Sequence, residues 1–194
     1  QTYGCVSVLE LEYEKLFKRF LMPKLRGGEK GAKKRYVGLV EKNGKEEIIF
    51  VGLESKRSDW TKAAQTFQYE LIDRIFHKKE VLSFIKQFVQ ELRSGKMDEI
   101  LIYKKSLRKP LEEYTVSHPH VKAARQLEHI TSKKIEYYMT LQGPEPVEKL
   151  KHSLDYEHYI KKQLKPIADS ILVFFHTDFN TLLRDNTQAK LFDF

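Results

Sequence analysis

The stretch YVGLVEKNGKEEIIFVGL (36–53) decides the fold of the first third of this chain. Two runs of β-branched and apolar residues, YVGLV and IIFVGL, flank Asn43-Gly44, the dipeptide most favourable to a two-residue hairpin turn. An antiparallel sheet is therefore expected here. Upstream, LELEYEKLF (9–17) alternates acids with Leu11, Tyr13 and Leu16, the period-2 sign of a half-buried strand. RGGEKG (26–31) reads as a loop. Immediately before the hairpin, Lys33, Lys34 and Arg35 stand against Tyr36. Three cations and a tyrosine at a strand start either solvate the strand end or meet something polyanionic.

Downstream of Asp59 the period changes. Trp60, Ala64, Phe67, Leu71 and Ile75 form one helical face, with Ser58 or Asp59 placed to cap it. Leu82, Ile85, Val89 and Leu92 form a second, stopped near Ser94-Gly95. ILIY (100–103) reads as a short strand. HPHVKAARQLEHI (118–130) reads as a helix with Pro119 in its first turn. Ile135, Tyr137, Met139 and Leu141 alternate as a strand ended by GPEP. Ser153 is placed to cap a long helix through Tyr156, Ile160, Leu164, Ile167 and Ile171, kinked at Pro166. The whole is α+β: antiparallel strands, then a mostly helical part with a short sheet. The switch near residue 60 marks the expected domain boundary, and no internal repeat is visible.

With 194 residues, 41% of them hydrophobic, the chain suits one medium domain or two small ones. A net charge of +8 favours a polyanionic partner, nucleic acid before an anionic membrane. Cations and acids alternate throughout and aromatics make up 12%, which fits a folded protein with a basic surface, not a disordered tail. Cys5 is the single cysteine, which excludes an intramolecular disulfide or a cysteine-rich zinc site and fits a reducing compartment. No apolar run approaches the roughly 20 residues of a membrane span. The start at Gln1 resembles neither a signal peptide nor an initiator, and reads as a piece of something longer.

The chain has no GxxxxGKS/T phosphate loop, no HExxH and no GxSxG. His118 and His120 flank a proline at a helix start, either a metal pair or a polar cap. Glu10, Glu12 and Glu14 fall on one strand face, where three carboxylates could hold Mg²⁺ or simply face solvent. The basic stretches say more. Lys24, Arg26, Lys30, Lys33, Lys34 and Arg35 crowd one loop and strand start. Lys104, Lys105, Arg108, Lys122 and Arg125 form a second zone. With Tyr36, Tyr103 and Tyr114 beside them, these zones suit a phosphate backbone. Neither carries a base-reading motif, so contact with nucleic acid should be indifferent to sequence.

LELEYEKLFKRFLMPKLRGGEKGAKKRYVGL, VGLESKRSDWTKAAQ, PLEEY with HPHVKAARQL, and LDYEHYIKKQLKPIADSIL resemble, in order and spacing, the C-terminal part of the family B DNA polymerases. The wording is nearest to the family's bacterial members. The resemblance implies the end of a palm over 1–59 and a duplex-gripping thumb over 60–194. AKKRY resembles the family's K-x-Y element, which lies against the primer–template duplex. That would make Lys34 and Tyr36 duplex contacts, with Lys33 and Arg35 as flanking cations. Arg57, Asp59 and Trp60 match an R-x-D-W block at the palm–thumb junction, and Glu12 matches an acid near the metal-binding aspartates. Those aspartates, in D-x-x-S-L-Y-P-S and Y-G-D-T-D-S, have no counterpart in this sequence, since Tyr3-Gly4-Cys5 lacks both acids. The chain alone is therefore expected to be inactive and to bind no cofactor, with Mg²⁺ held by the parent polymerase.

The resemblance also implies a role in replication and repair in the bacterial cytoplasm, at the nucleoid. The partners it implies are primer–template DNA and the rest of the polymerase. QAKLF near the end resembles the Q-L-x-L-F peptide by which bacterial polymerases bind the sliding clamp, with Gln188 at the groove edge and Leu191 and Phe192 as anchors; Ala189 departs from the usual leucine. Two other classes remain open: a stand-alone non-specific DNA-binding or polymerase accessory module, and a basic helical protein–protein adaptor.

Overall fold

The computed structural model describes residues 15–23, 34–57 and 59–184. Three strands, β1 (Phe17–Leu21), β2 (Tyr36–Lys42) and β3 (Lys45–Val51), form an antiparallel sheet in that order. Asn43 and Gly44 turn the β2–β3 hairpin with φ of 53° and 73°, the double positive φ that selects this dipeptide. In β1 the strand begins at Phe17, and Leu16, expected to be half-buried, is exposed. Residues 9–14 of LELEYEKLF, Lys33 and the RGGEKG loop lie outside the described residues. Gly38 in β2 is there for close approach: a Cβ would come within 2.1 Å of the Phe17 ring lying over it.

A 3-10 turn at Glu54–Lys56 leads to α1 (Lys62–Phe76), followed by α2 (Leu82–Arg93). The cap of α1 is Thr61, whose hydroxyl accepts from Ala64 N. It is not Asp59, because Arg57 Nε and an Nη take both of that carboxylate's oxygens at 3.0 and 2.7 Å. The expected helical face is real. Ala64, Phe67, Leu71 and Ile75 pack with Ile85, Phe88 and Leu92 of α2, and Phe67 stacks among Phe84 and Phe88. Burying a side chain of this size contributes about 1.5–3 kcal/mol. Val37, Leu39, Phe50 and Leu53 belong to the same cluster, so the apolar core is continuous across residue 60.

The second sheet, β4 (Tyr103–Ser106), β5 (Lys134–Thr140) and β6 (Gly143–Pro146), is also antiparallel. Here the sequence reading needs three corrections. The strand expected at 100–103 is displaced to Tyr103–Ser106. Residues Asp98–Ile100 form a 3-10 turn whose Asp98 accepts the Tyr156 hydroxyl, and Leu101 is drawn into the main core. GPEP does not merely end β5; it pairs with it, Pro144 opposite Met139 and Pro146 opposite Tyr137. Prolines are tolerated because β6 is an edge of this sheet. The helix expected over 118–130 is α3 (Pro119–Ala124), with Pro119 in its first turn as read. It stops because Gln126 and Leu127 tighten to i−3 bonds and the Gln126 amide reaches the Pro144 carbonyl at 2.8 Å.

The last helical run is likewise irregular. Asp155, not Ser153, caps α4 (Tyr156–Tyr159), accepting from His158 N at 2.9 Å. A π turn at Ile160–Leu164 separates α4 from α5 (Lys165–Leu172), so the irregularity precedes Pro166. The wide turn makes room for a ring that cannot donate to the carbonyl before it. Gln163 in that turn is bonded by the Thr61 hydroxyl, a buried link to the start of α1. The last helix among the described residues, α6 (Phe179–Arg184), docks Phe179 and Leu182 into the core.

Candidate nucleic-acid interface

The first candidate cluster sits where β2 begins. Lys34 is exposed and adopts φ 68°, a left-handed conformation uncommon for lysine. Arg35 turns inward to an ion pair with Glu54. Tyr36 is half-buried and braced on one side: Phe20 stacks on it at 5.3 Å and Phe17 meets it edge-on at 6.0 Å. Such ring pairs contribute about 0.5–1.5 kcal/mol beyond area burial and fix the phenol's direction.

The second cluster is built on β4, the loop after it and α3. Lys105 and Lys104 alternate on β4 and so point to opposite faces. Lys104 pairs with Glu136 at 2.8 Å. Lys105 lies opposite Ile135, on the face that Ala123 and Ala124 of α3 cover. Arg108 follows the strand, its backbone N–H donating to the Tyr114 hydroxyl at 2.8 Å. The Lys109 ammonium sits 5.1 Å over the Tyr114 ring. Arg125 braces the neighbouring loop by donating to the Tyr114 carbonyl and Ser117 hydroxyl. Lys122 is exposed on α3. Among the described residues no carboxylate pairs with Lys34, Lys105, Arg108, Lys122 or Arg125, whereas Arg35, Arg57 and Lys104 each have one.

The Asp59 carboxyl is held below its ordinary range, chiefly by the Arg57 guanidinium, with the Lys105 charge adding to the effect. Burial pushes the His120 pKa down, and its neighbours Lys105 and His118 add to the effect. His118 and His120 stack at 5.8 Å with Tyr114 edge-on to His120. Among the described residues no three His, Cys, Asp or Glu side chains converge as a metal site.

Tyr103 departs from the sequence reading, which set it beside the basic zone. Its ring is stacked against Tyr137 and Tyr159 and its hydroxyl lies 3.1 Å from His158 Nε2. Burial pushes that hydroxyl's pKa up. It is a packing residue. Three residues that shape the first cluster were missed: Phe20, Glu54 and Gln68. Gln68 left a signal, an amide on the apolar face of α1 between Phe67 and Leu71, where a polar group needs a partner. Gln188, Leu191 and Phe192 lie outside the described residues. Among the described residues no helix is long and apolar enough to cross a membrane.

A family model for DNA polymerase family B matches residues 4–173. The chain is 43% identical to DNA polymerase II of Escherichia coli over 94% of its own length and 25% of that protein's. It is 31% identical to DNA polymerase 2 of Aeropyrum pernix over 84% of this chain and 22% of that one. Its structure resembles the family B DNA polymerase of Pyrobaculum calidifontis with a TM-score of 0.65 and 27% identity, covering 82% of this chain and 22% of that one. The chain thus spans about a quarter of the length of the curated relatives it matches. Two small antiparallel sheets joined through a helical core, matched along most of their length, leave one conclusion: the chain belongs to DNA polymerase family B.

Proposed function

We propose that this chain is the duplex-gripping part of a DNA-directed DNA polymerase, the end of the palm over 1–59 and the thumb over 60–194. In that reading it works in the bacterial cytoplasm on primer–template DNA, joined to the rest of the polymerase, whose aspartates hold Mg²⁺. The observation that carries it is the group Lys105, Arg108 and Lys122, on one sheet–helix unit and without carboxylate partners among the described residues. Such cations have charge to offer a phosphate backbone, and a cation already paired must first give up its acid. Lys34 and Tyr36 add a mobile ammonium and a braced phenol. Arg57, Lys104 and Arg125 hold the surface in shape around them.

The test is binding of the full chain to two unrelated labelled duplexes across a salt series. Equal affinities with a steep salt dependence support the reading; a preference of tens-fold for one duplex overturns it. Primer extension with Mg²⁺ present should be absent for the chain alone, and any nucleotide incorporation overturns that part. The C-terminal segment is proposed to dock on a sliding clamp through Gln188, Leu191 and Phe192. A synthetic peptide of residues 184–194 should bind the clamp and lose binding when Leu191 and Phe192 become alanine. Two such anchors supply about 3–6 kcal/mol before ordering costs. No binding at hundreds of micromolar removes this role.

A further inference from the structure

Arg35 does not stand free beside Lys34 and Tyr36. Its guanidinium meets one oxygen of Glu54, and only 27% of its side chain and 12% of that of Glu54 are exposed. The other Glu54 oxygen accepts from Gln68 Nε2 at 2.8 Å, and Gln68 Oε1 accepts the Ser55 backbone N–H at 2.7 Å. Gln68 is fully buried, so its amide would cost its desolvation if these bonds were missing. A chain of polar contacts therefore runs from α1 through the 3-10 turn to the start of β2. On the other flank Gly52, at φ +65°, lies so close that a Cβ there would be 2.5 Å from the Lys34 carbonyl oxygen. Lys34 itself holds φ 68°, a state that lasts only where the surroundings over-determine it.

We propose that Glu54, buttressed by Gln68, is a positioning residue that acts through Arg35 to fix Lys34 and Tyr36 in the conformation that meets duplex DNA. The inference rests on the reading of Lys34 and Tyr36 as duplex contacts. It makes Arg35 an anchor, not a phosphate ligand. It also reverses the sign that bulk electrostatics gives. Removing the Glu54 charge raises the net charge from +8 to +9 and frees a guanidinium, both of which favour DNA if Glu54 is only an acid in the wrong place. If it positions, the same change weakens binding.

Four forms of the full chain decide this by fluorescence anisotropy on a labelled duplex: wild type, Glu54→Gln, Lys34→Ala/Tyr36→Ala, and the three changes combined. Glu54→Gln should weaken binding about three- to tenfold, the size of one well-placed hydrogen-bonded contact. In the Lys34→Ala/Tyr36→Ala background it should do nothing further, because the groups it positions are gone. Gln68→Met, which keeps the volume and removes both bonds, should weaken binding in the same way, giving a second route if Glu54→Gln folds poorly. Tighter or unchanged binding by Glu54→Gln, or equal losses in both backgrounds, overturns the positioning role while the duplex reading stands. If Lys34→Ala/Tyr36→Ala binds like wild type, the duplex reading of this strand start falls, and the positioning role with it.

Discussion

The two sheets look alike in outline and differ in what their charges do. Both are three-stranded and antiparallel, and both follow sequence order. In the first, three cations are spent within the fold, although Lys34 at its edge is not: Lys18 pairs with Glu41 and Glu46, Arg19 donates to the Phe76 carbonyl, and Arg35 pairs with Glu54. In the second, Lys104 alone on β4 is paired, and Lys105, Arg108 and Lys122 have no acid within ion-pairing distance among the described residues. The difference has a packing origin. The first sheet lies on the main core beside α1, where acids and carbonyls of the helix and turn are within reach. The second turns Tyr138 to the same core but packs its other face on a small cluster of Ala123, Ala124, Ile135 and Tyr137, and Lys104, Lys105 and Ser106 of β4 are exposed. A count of lysines and arginines treats the two alike; available charge does not.

The largest expected effect tests that contrast directly. Changing Lys105, Arg108 and Lys122 together to alanine should flatten the log–log salt dependence of duplex binding by about 2.7, at roughly 0.9 per phosphate contact. Unchanged slope would show that the free cations are not the ones used. Next in size, Gly52→Ala should destabilise the chain by about 1–3 kcal/mol, since the positive φ and the Lys34 carbonyl both exclude a side chain. Urea unfolding measures it, and a neutral result would show that the strand start yields.

Tyr36→Ala should weaken primer–template binding more than Tyr36→Phe, because the ring is what Phe20 and Phe17 brace. Equal affinity for all three forms would leave Tyr36 a packing residue.

A smaller effect separates the first sheet from the second by pH. His77 bridges Asp73 of α1 and Glu46 of β3, with Lys79 on Asp73 and Lys18 on Glu46. The backbone and carboxylate partners raise its pKa above the ordinary 6.5. A raised folded pKa means that its contribution is complete below the unfolded value and is lost as pH rises through the folded one. Glu46, held low by His77 and Lys18, works oppositely, its contribution fading only in acid. Stability curves of wild type and His77→Gln should therefore converge as pH rises above about 6.5. A constant gap would remove the ionic link. Smallest of all, Lys104→Ala should change duplex affinity less than Lys105→Ala, and stability by about 0–1 kcal/mol, as for other exposed pairs.

Sequence reading recovered elements wherever a single local rule decided them. Asn43-Gly44 needs two positive φ values, and the hairpin is there. The face of Ala64, Phe67, Leu71 and Ile75 repeats with the helix, and α1 is there. It failed where a contact outside the periodic pattern made the choice, even one close along the chain. Asp59 is a good cap residue taken by Arg57, so Thr61 caps instead. GPEP reads as a stop, yet an open sheet edge accepts its prolines as a strand. At the candidate interface, the basic residues and Tyr36 were legible as types; Phe20, Glu54 and Gln68 were not, because nothing in their local spelling ties them to Lys34.

By itself, then, the sequence determined the alternation of sheet and helix, the hairpin, the helical faces, a basic surface and the family's motifs. These depend on backbone preferences and periodicities written within a few residues of one another. Only the tertiary structure decided which cations are free. Pairing is settled by residues 19 positions apart, as in Arg35 and Glu54, or 32 apart, as in Lys104 and Glu136, and the fold alone brings those together.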